Sequence, residues 1–165
     1  MDRLCALFGE LKFTGVESFI ASGNIIFSSK SANSRKLETQ IETHLKQSLG
    51  YEVDTFVRTR AEIAAAAACH CVTAAELAQS GNTVHVGFLG EAFSIEQVRK
   101  FIACRTAVDE LHVAGREYYW LCRIKSHESK VWTSPQMKDV KLPSSSMRNL
   151  TTVRKLAALY PSPNN

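Results

Sequence analysis

The sequence predicts a mixed α+β protein built as two successive halves, each with an antiparallel sheet, and three observations carry that prediction. Val16 to Ile20 and Ile25 to Phe27 are rich in β-branched and aromatic residues, and Ser22-Gly23-Asn24 lies between them. Gly and Asn accept positive φ cheaply, so the chain reverses there into a hairpin. Stretches with apolar residues at helical spacing flank that hairpin, and a second set of strand-like segments begins near Thr83.

The elements follow in order. Leu4, Leu7, Phe8 and Leu11 predict an amphipathic helix over 2–12. Leu37, Ile41, Leu45 and Leu49 form one stripe of a helix over 34–49, with Gly50 as its C-cap. His44 sits beside that stripe as a packing residue. Residues 52–57 alternate as a strand, and Thr59-Arg60-Ala61-Glu62 is a capping box that opens an Ala-rich helix to about Ala68. Thr83 to Leu89 places Val84, Val86 and Phe88 on one face and His85 on the other. Ser94-Ile95-Glu96-Gln97 is a second capping box, leading a helix with Ile95, Val98, Phe101 and Ile102 inward. Strands over 110–113 and 117–122 reverse at Ala114-Gly115-Arg116. Asn149 caps a last helix whose stripe is Val153, Leu156, Ala157 and Tyr160, and 161–165 is a tail.

Each half thus approaches the ferredoxin-like order strand-helix-strand-strand-helix-strand. The first half spans 1–80 and lacks its opening strand. The second spans 81–160. An incomplete first sheet leaves an edge through which the chain is expected to self-associate.

Composition excludes several classes of function. Hydrophobic residues are 45% and charged residues 22% of the 165, as in an ordinary globular protein. No run approaches the roughly 18 apolar residues of a membrane span, and the start has no signal-peptide pattern. Five cysteines without a regular framework point to reduced thiols and a cytoplasmic setting. Cys69-His70-Cys71 lacks the second ligand pair of a zinc site, so no metal and no cofactor are expected.

Candidate chemistry is sparse. Eight Lys and Arg against two acids between Arg123 and Lys155 give that segment +6 of a net +4, leaving −2 elsewhere. Arg148, Asn149 and Thr152 cluster at the start of the last helix, where free N–H groups and the helix dipole favour an anion, and Ser129 and Lys130 are further donors. Ser22, Gly23 and Asn24 form a polar turn whose simplest role is turn chemistry. The pairs Ser129-Lys130 and Lys125-Ser126 do not make nucleophile and base, because adjacent side chains seldom point at one centre. The leading reading is therefore a binding or interaction domain for an anionic ligand or partner. The alternative is a small-molecule enzyme with a site between the two halves. An RNA-binding variant has Tyr118, Tyr119 and Trp120 stacking on bases.

Four stretches carry a family likeness: residues 11–27, His85-Val86-Gly87-Phe88-Leu89, Gly115-Arg116-Glu117-Tyr118-Tyr119, and residues 147–156. In these the chain resembles the bacterial family catalogued as domain of unknown function 1697. The resemblance implies two ferredoxin-like halves and no established activity or catalytic residues. It departs from the family in three places. The chain starts in the first helix rather than with a strand and glycine-rich loop, Leu150 stands where Trp is usual, and 69–79 differs from the usual connector.

Overall fold

A computed structural model describes residues 2–20, 23–68 and 70–162. The chain divides into two compact units, Met1–Thr59 and Arg60–Asn165. Residues 60–80, grouped with the first half from sequence, therefore pack in the second unit.

In the first unit, helix α1 (Asp2–Glu10) leads into a hairpin of β1 (Thr14–Phe19) and β2 (Asn24–Ser28), followed by α2 (Ser34–Leu49). The hairpin pairs Phe19 with Asn24 and Glu17 with Ile26, and its register shifts between Thr14 and Glu17. Asn24 Nδ2 donates to Phe19 O at 3.2 Å and helps close the turn. Leu7 and Phe8 of α1 and Leu37, Ile41 and Leu45 of α2 are buried together. Phe13 stacks on Phe27 at 4.5 Å, with Phe8 edge-on to Phe27. Asn33 caps α2, since its side chain accepts from Lys36 N. Gly50 ends the helix at φ 83 and returns its N–H to Lys46 O.

The strand expected over 52–57 does not form: the segment has no regular structure and belongs to no sheet. Its backbone donors go to side chains of α2 instead. Thr55 N donates to Glu42 Oε1 and Val57 N to Glu38 Oε1, both at 2.9 Å. Carboxylates four residues apart lie one above the other on one face of a helix, so Glu38 and Glu42 can take two N–H groups of the same passing segment. Glu38 is fully buried, with Arg58 Nη1 at 3.9 Å from Oε1.

The second unit begins with α3 (Arg60–Ala68) and a short α4 (Ala74–Ala78), which the sequence reading missed although Thr73 and Glu76 form a full capping box. Next come β3 (Thr83–Leu89), α5 (Ile95–Ala103), β4 (Asp109–Ala114) and β5 (Glu117–Cys122). A 3-10 turn at Val131–Thr133, α6 (Pro135–Val140), β6 (Ser145–Asn149) and α7 (Leu150–Leu159) complete the unit. The basic segment between Arg123 and Lys155 thus carries regular elements over much of its length. Ser134 caps α6 with Pro135 at the first helical position.

The four strands form one antiparallel sheet in the order β4-β5-β3-β6. With β6 in place, the order strand-helix-strand-strand-helix-strand is complete, the split-βαβ arrangement of a ferredoxin-like half. Tyr118 and Trp120 face a core shared with Phe93, Phe101, Val131, Met137 and Val140. Tyr119 lies between them in sequence and faces the opposite side, donating its hydroxyl to Ala66 O of α3, where α7 also packs. Phe101 of α5 is buried as expected, but Ile95 and Ile102 are 82% and 36% exposed. Seven residues apart, these two share the outer side of the helix, so the inward stripe is narrower than the sequence suggested.

Gly87 is required by packing. It pairs with Tyr118 across the ladder, and a Cβ there would lie 1.9 Å from the Tyr118 ring.

Candidate functional site

The junction of β6 and α7 holds the residues expected to bind an anion. Arg148 pairs with Val86 of β3 and Asn149 with His85. Consecutive strand residues face opposite sides of a sheet, so Arg148 and Asn149 diverge. The Arg148 guanidinium is half-buried, and its Nη1 donates to Ser146 Oγ at 2.7 Å and Met147 O at 2.9 Å. Burial pushes its pKa down. Asn149 Oδ1 caps α7, accepting from Thr151 N at 2.9 Å and from the Thr151 hydroxyl at 2.6 Å. Thr152 is half-buried in the first turn.

Ser129 and Lys130 do not join this group. Ser129 Oγ donates to Asp109 Oδ1 at 2.8 Å. Asp109 lies on β4, the edge of the sheet opposite β6, with β5 and β3 between. This buried carboxylate organises its surroundings: Oδ1 also accepts from Trp120 Nε1 at 2.8 Å and Oδ2 from the Thr106 hydroxyl at 2.7 Å. Ser129 is thereby a structural anchor for its loop, and Lys130 is exposed beside it.

The remaining basic residues are dispersed. Arg123 Nη2 is 2.7 Å from both Glu76 and Glu110, and these two carboxylates hold its pKa up. Glu76 is shifted down, first by the N–H of Thr73, then by the Thr73 hydroxyl and Arg123. Among the described residues Lys130, Lys138, Lys141 and Lys155 are exposed and make no ion pair. Residues 60–165 carry 13 Lys and Arg against nine Asp and Glu, while 1–59 carry seven of each. The whole surplus of +4 therefore belongs to the second unit.

Other sequence candidates take definite places. The RNA-stacking reading is corrected: Tyr118, Tyr119 and Trp120 are 1%, 4% and 3% exposed and serve the core. In the polar turn, Gly23 adopts φ 75 and Asn24 bonds Phe19 O, while Ser22 lies outside the described residues. His44 Nε2 is 3.0 Å from Glu10 Oε2, tying α2 to α1 beside an open cleft of about 570 Å³ lined also by Lys36, Gln40 and Gln47. Cys69 lies outside the described residues, and among those described no group of three or more His, Cys, Asp and Glu gathers to hold a metal ion. Among the same residues no helix is long and apolar enough to cross a membrane.

Sequence reasoning passed over His85 as a site residue. Its ring lies on the Trp120 indole, with centroids 4.9 Å apart and planes at 25°, and burial lowers its pKa. Thr83, two residues earlier on the same strand, shares a 3.2 Å hydroxyl contact with Ser126. The alternation of His85 against Val84 and Val86 was the available signal, since it set an imidazole alone on the other face.

No curated protein matches the chain. A solved structure described as that of the conserved bacterial protein SP0830 from Streptococcus pneumoniae is similar, with a TM-score of 0.71 and 18% identity, covering 98% of this chain and 89% of that one. At that identity the likeness is one of fold. A family model described as protein of unknown function (DUF1697) matches residues 1–119, the whole first unit and the second unit as far as the middle of β5. The chain belongs to the DUF1697 family.

Proposed function

We propose that this DUF1697 protein is a binding domain for an anionic ligand or partner, with Arg148 as the anchoring cation. The observation that carries the reading is the half-buried guanidinium of Arg148 at the β6–α7 junction, on the unit that holds the chain's whole positive surplus. Burial disfavours its charge, and an adjacent anion offsets that cost through a bidentate, charge-assisted contact. Thr152 adds a hydroxyl in the following turn. The surplus of +4 on the same unit supplies long-range attraction, screened over about 8–10 Å at ordinary ionic strength. Asn149 supports the site by capping α7 rather than by touching the ligand.

Titration calorimetry with inorganic phosphate and with tripolyphosphate tests the proposal, using wild type, Arg148→Ala and Arg148→Lys. The wild type is expected to bind, more weakly as salt rises. Arg148→Ala is expected to lose at least about tenfold in affinity, with Arg148→Lys between the two. Circular dichroism reports whether each variant is folded. Equal affinity in wild type and Arg148→Ala, or no heat from the wild type with either anion, overturns the assignment.

A further inference from the structure

On the face of the second sheet that carries Trp120, two ring nitrogens are buried and have no hydrogen-bond partner among the described residues: His85 Nδ1 and Trp132 Nε1. Both rings abut the same indole. His85 lies flat on Trp120 at 4.9 Å, and Trp132 meets it edge-on at 5.3 Å and 88°. Trp120's own N–H is satisfied by Asp109 Oδ1, so the deficit falls on its two neighbours. Asn149 pairs with His85 across the ladder, and its Oδ1 is taken by Thr151 while its amide nitrogen bonds no acceptor among the described residues. Buried polar groups in folded proteins are nearly always paired, and a cluster of unpaired ones around a polar spot is where an internal molecule sits.

We propose that the His85–Trp120–Trp132 cluster holds a small oxygen-bearing molecule. Its oxygen accepts a hydrogen bond from Trp132 Nε1–H and pairs with His85 Nδ1. A hydroxyl suits both roles, because it accepts from the indole and donates to a neutral imidazole, the form that burial favours for His85. Water is the smallest molecule with this chemistry, and a small alcohol or hydroxy compound is the larger one. The site is independent of Arg148, which pairs with Val86 and so faces the other side of the sheet.

The chain has two tryptophans, so a nitrogen-edited proton spectrum of the uniformly labelled wild type shows two indole N–H signals, assigned with Trp132→Phe. The Trp132 signal is expected to be protected from bulk exchange and to show a cross-peak to a long-lived bound species. Native mass spectrometry of the protein as purified separates the sources. A mass above that of the chain together with cross-peaks to carbon-bound protons identifies an organic ligand. An unmodified mass with a cross-peak to slowly exchanging water identifies an internal water. A Trp132 indole that exchanges freely with bulk solvent, or one that shows no bound species, overturns the proposal. So does a crystal structure in which His85 Nδ1 and Trp132 Nε1 each bond a protein acceptor.

Discussion

Gly87 and Tyr118 show how one side chain's absence determines what its neighbour can do. The Tyr118 ring lies across Gly87, is 1% exposed, and bonds Ser145 Oγ at 3.0 Å through its hydroxyl. Phe93 and Phe101 pack around it with centroids 6.4 and 5.2 Å away. A methyl on Gly87 would meet the ring's own carbons, not the tip of a flexible chain, so the ring must leave its place or the strands must part. Gly87→Ala is expected to destabilise the protein by roughly 1–3 kcal/mol or more, read from urea unfolding. Adding Tyr118→Ala should make the two costs strongly non-additive, because the second change removes the clash. Additive costs would mean that the ring does not lie over Gly87. Asp109 works in the same local way, gathering Trp120, Thr106 and Ser129 on one buried carboxylate.

At the scale of elements, the most instructive pairing joins a helix to a segment that belongs to no sheet. Glu38 and Glu42, one turn apart on α2, accept the N–H groups of Val57 and Thr55. The helix thereby does for residues 52–58 what a neighbouring strand does in a ladder. Glu38→Ala is expected to cost about 1–3 kcal/mol, since it leaves a backbone donor without its acceptor and removes a carboxylate from beside Arg58. Hydrogen exchange should lose protection at the Val57 amide first, with Glu42→Ala acting in parallel on Thr55. Unchanged protection at both amides would show that other groups hold the segment. The second unit manages its elements by covering both faces of its sheet. Helices α5 and α6 set Phe101, Met137 and Val140 in one cluster with Tyr118 and Trp120 on one side, with α3 and α7 on the other.

For the whole molecule, acid should weaken folding in two separate windows. Burial lowers the pKa of His85, so the native protein takes up this proton less readily than the unfolded chain. Stability is unaffected above the imidazole's ordinary value of 6.5 and falls as pH drops through it, because there the unfolded chain binds the extra proton. Glu76 acts lower. Its depressed pKa contributes stability that is present above the ordinary carboxylate value of 4.5 and lost as pH falls through the folded one. Urea midpoints measured from about pH 7.5 to 3 should therefore show two descents. The upper one should shrink in His85→Phe, which keeps an aromatic ring on Trp120, while the lower one persists. An upper descent of equal size in His85→Phe would assign it to another group.

Much of this architecture was written in local pattern. The stripes of α1, α2 and α7, the Gly50 cap, the Ser94–Gln97 box and the alternation of β3 depend on residues within a turn or two of each other, so the sequence by itself determined them. The Ser134-Pro135 and Thr73–Glu76 start signals are equally local and equally present in the sequence. What the tertiary structure decided is everything that depends on a distant partner. Ser145-Ser146-Met147-Arg148-Asn149 has little strand propensity and became β6 only because β3 offered it an edge. Residues 52–57 have the alternation of a strand and are held instead by α2. Ladder register then set Arg148 and Asn149 on opposite faces, carried Ser129 to the far edge of the sheet, and brought His85 onto Trp120. Periodicity says which way a residue faces within its own element, but hydrogen-bond pairing between remote strands chooses its neighbours.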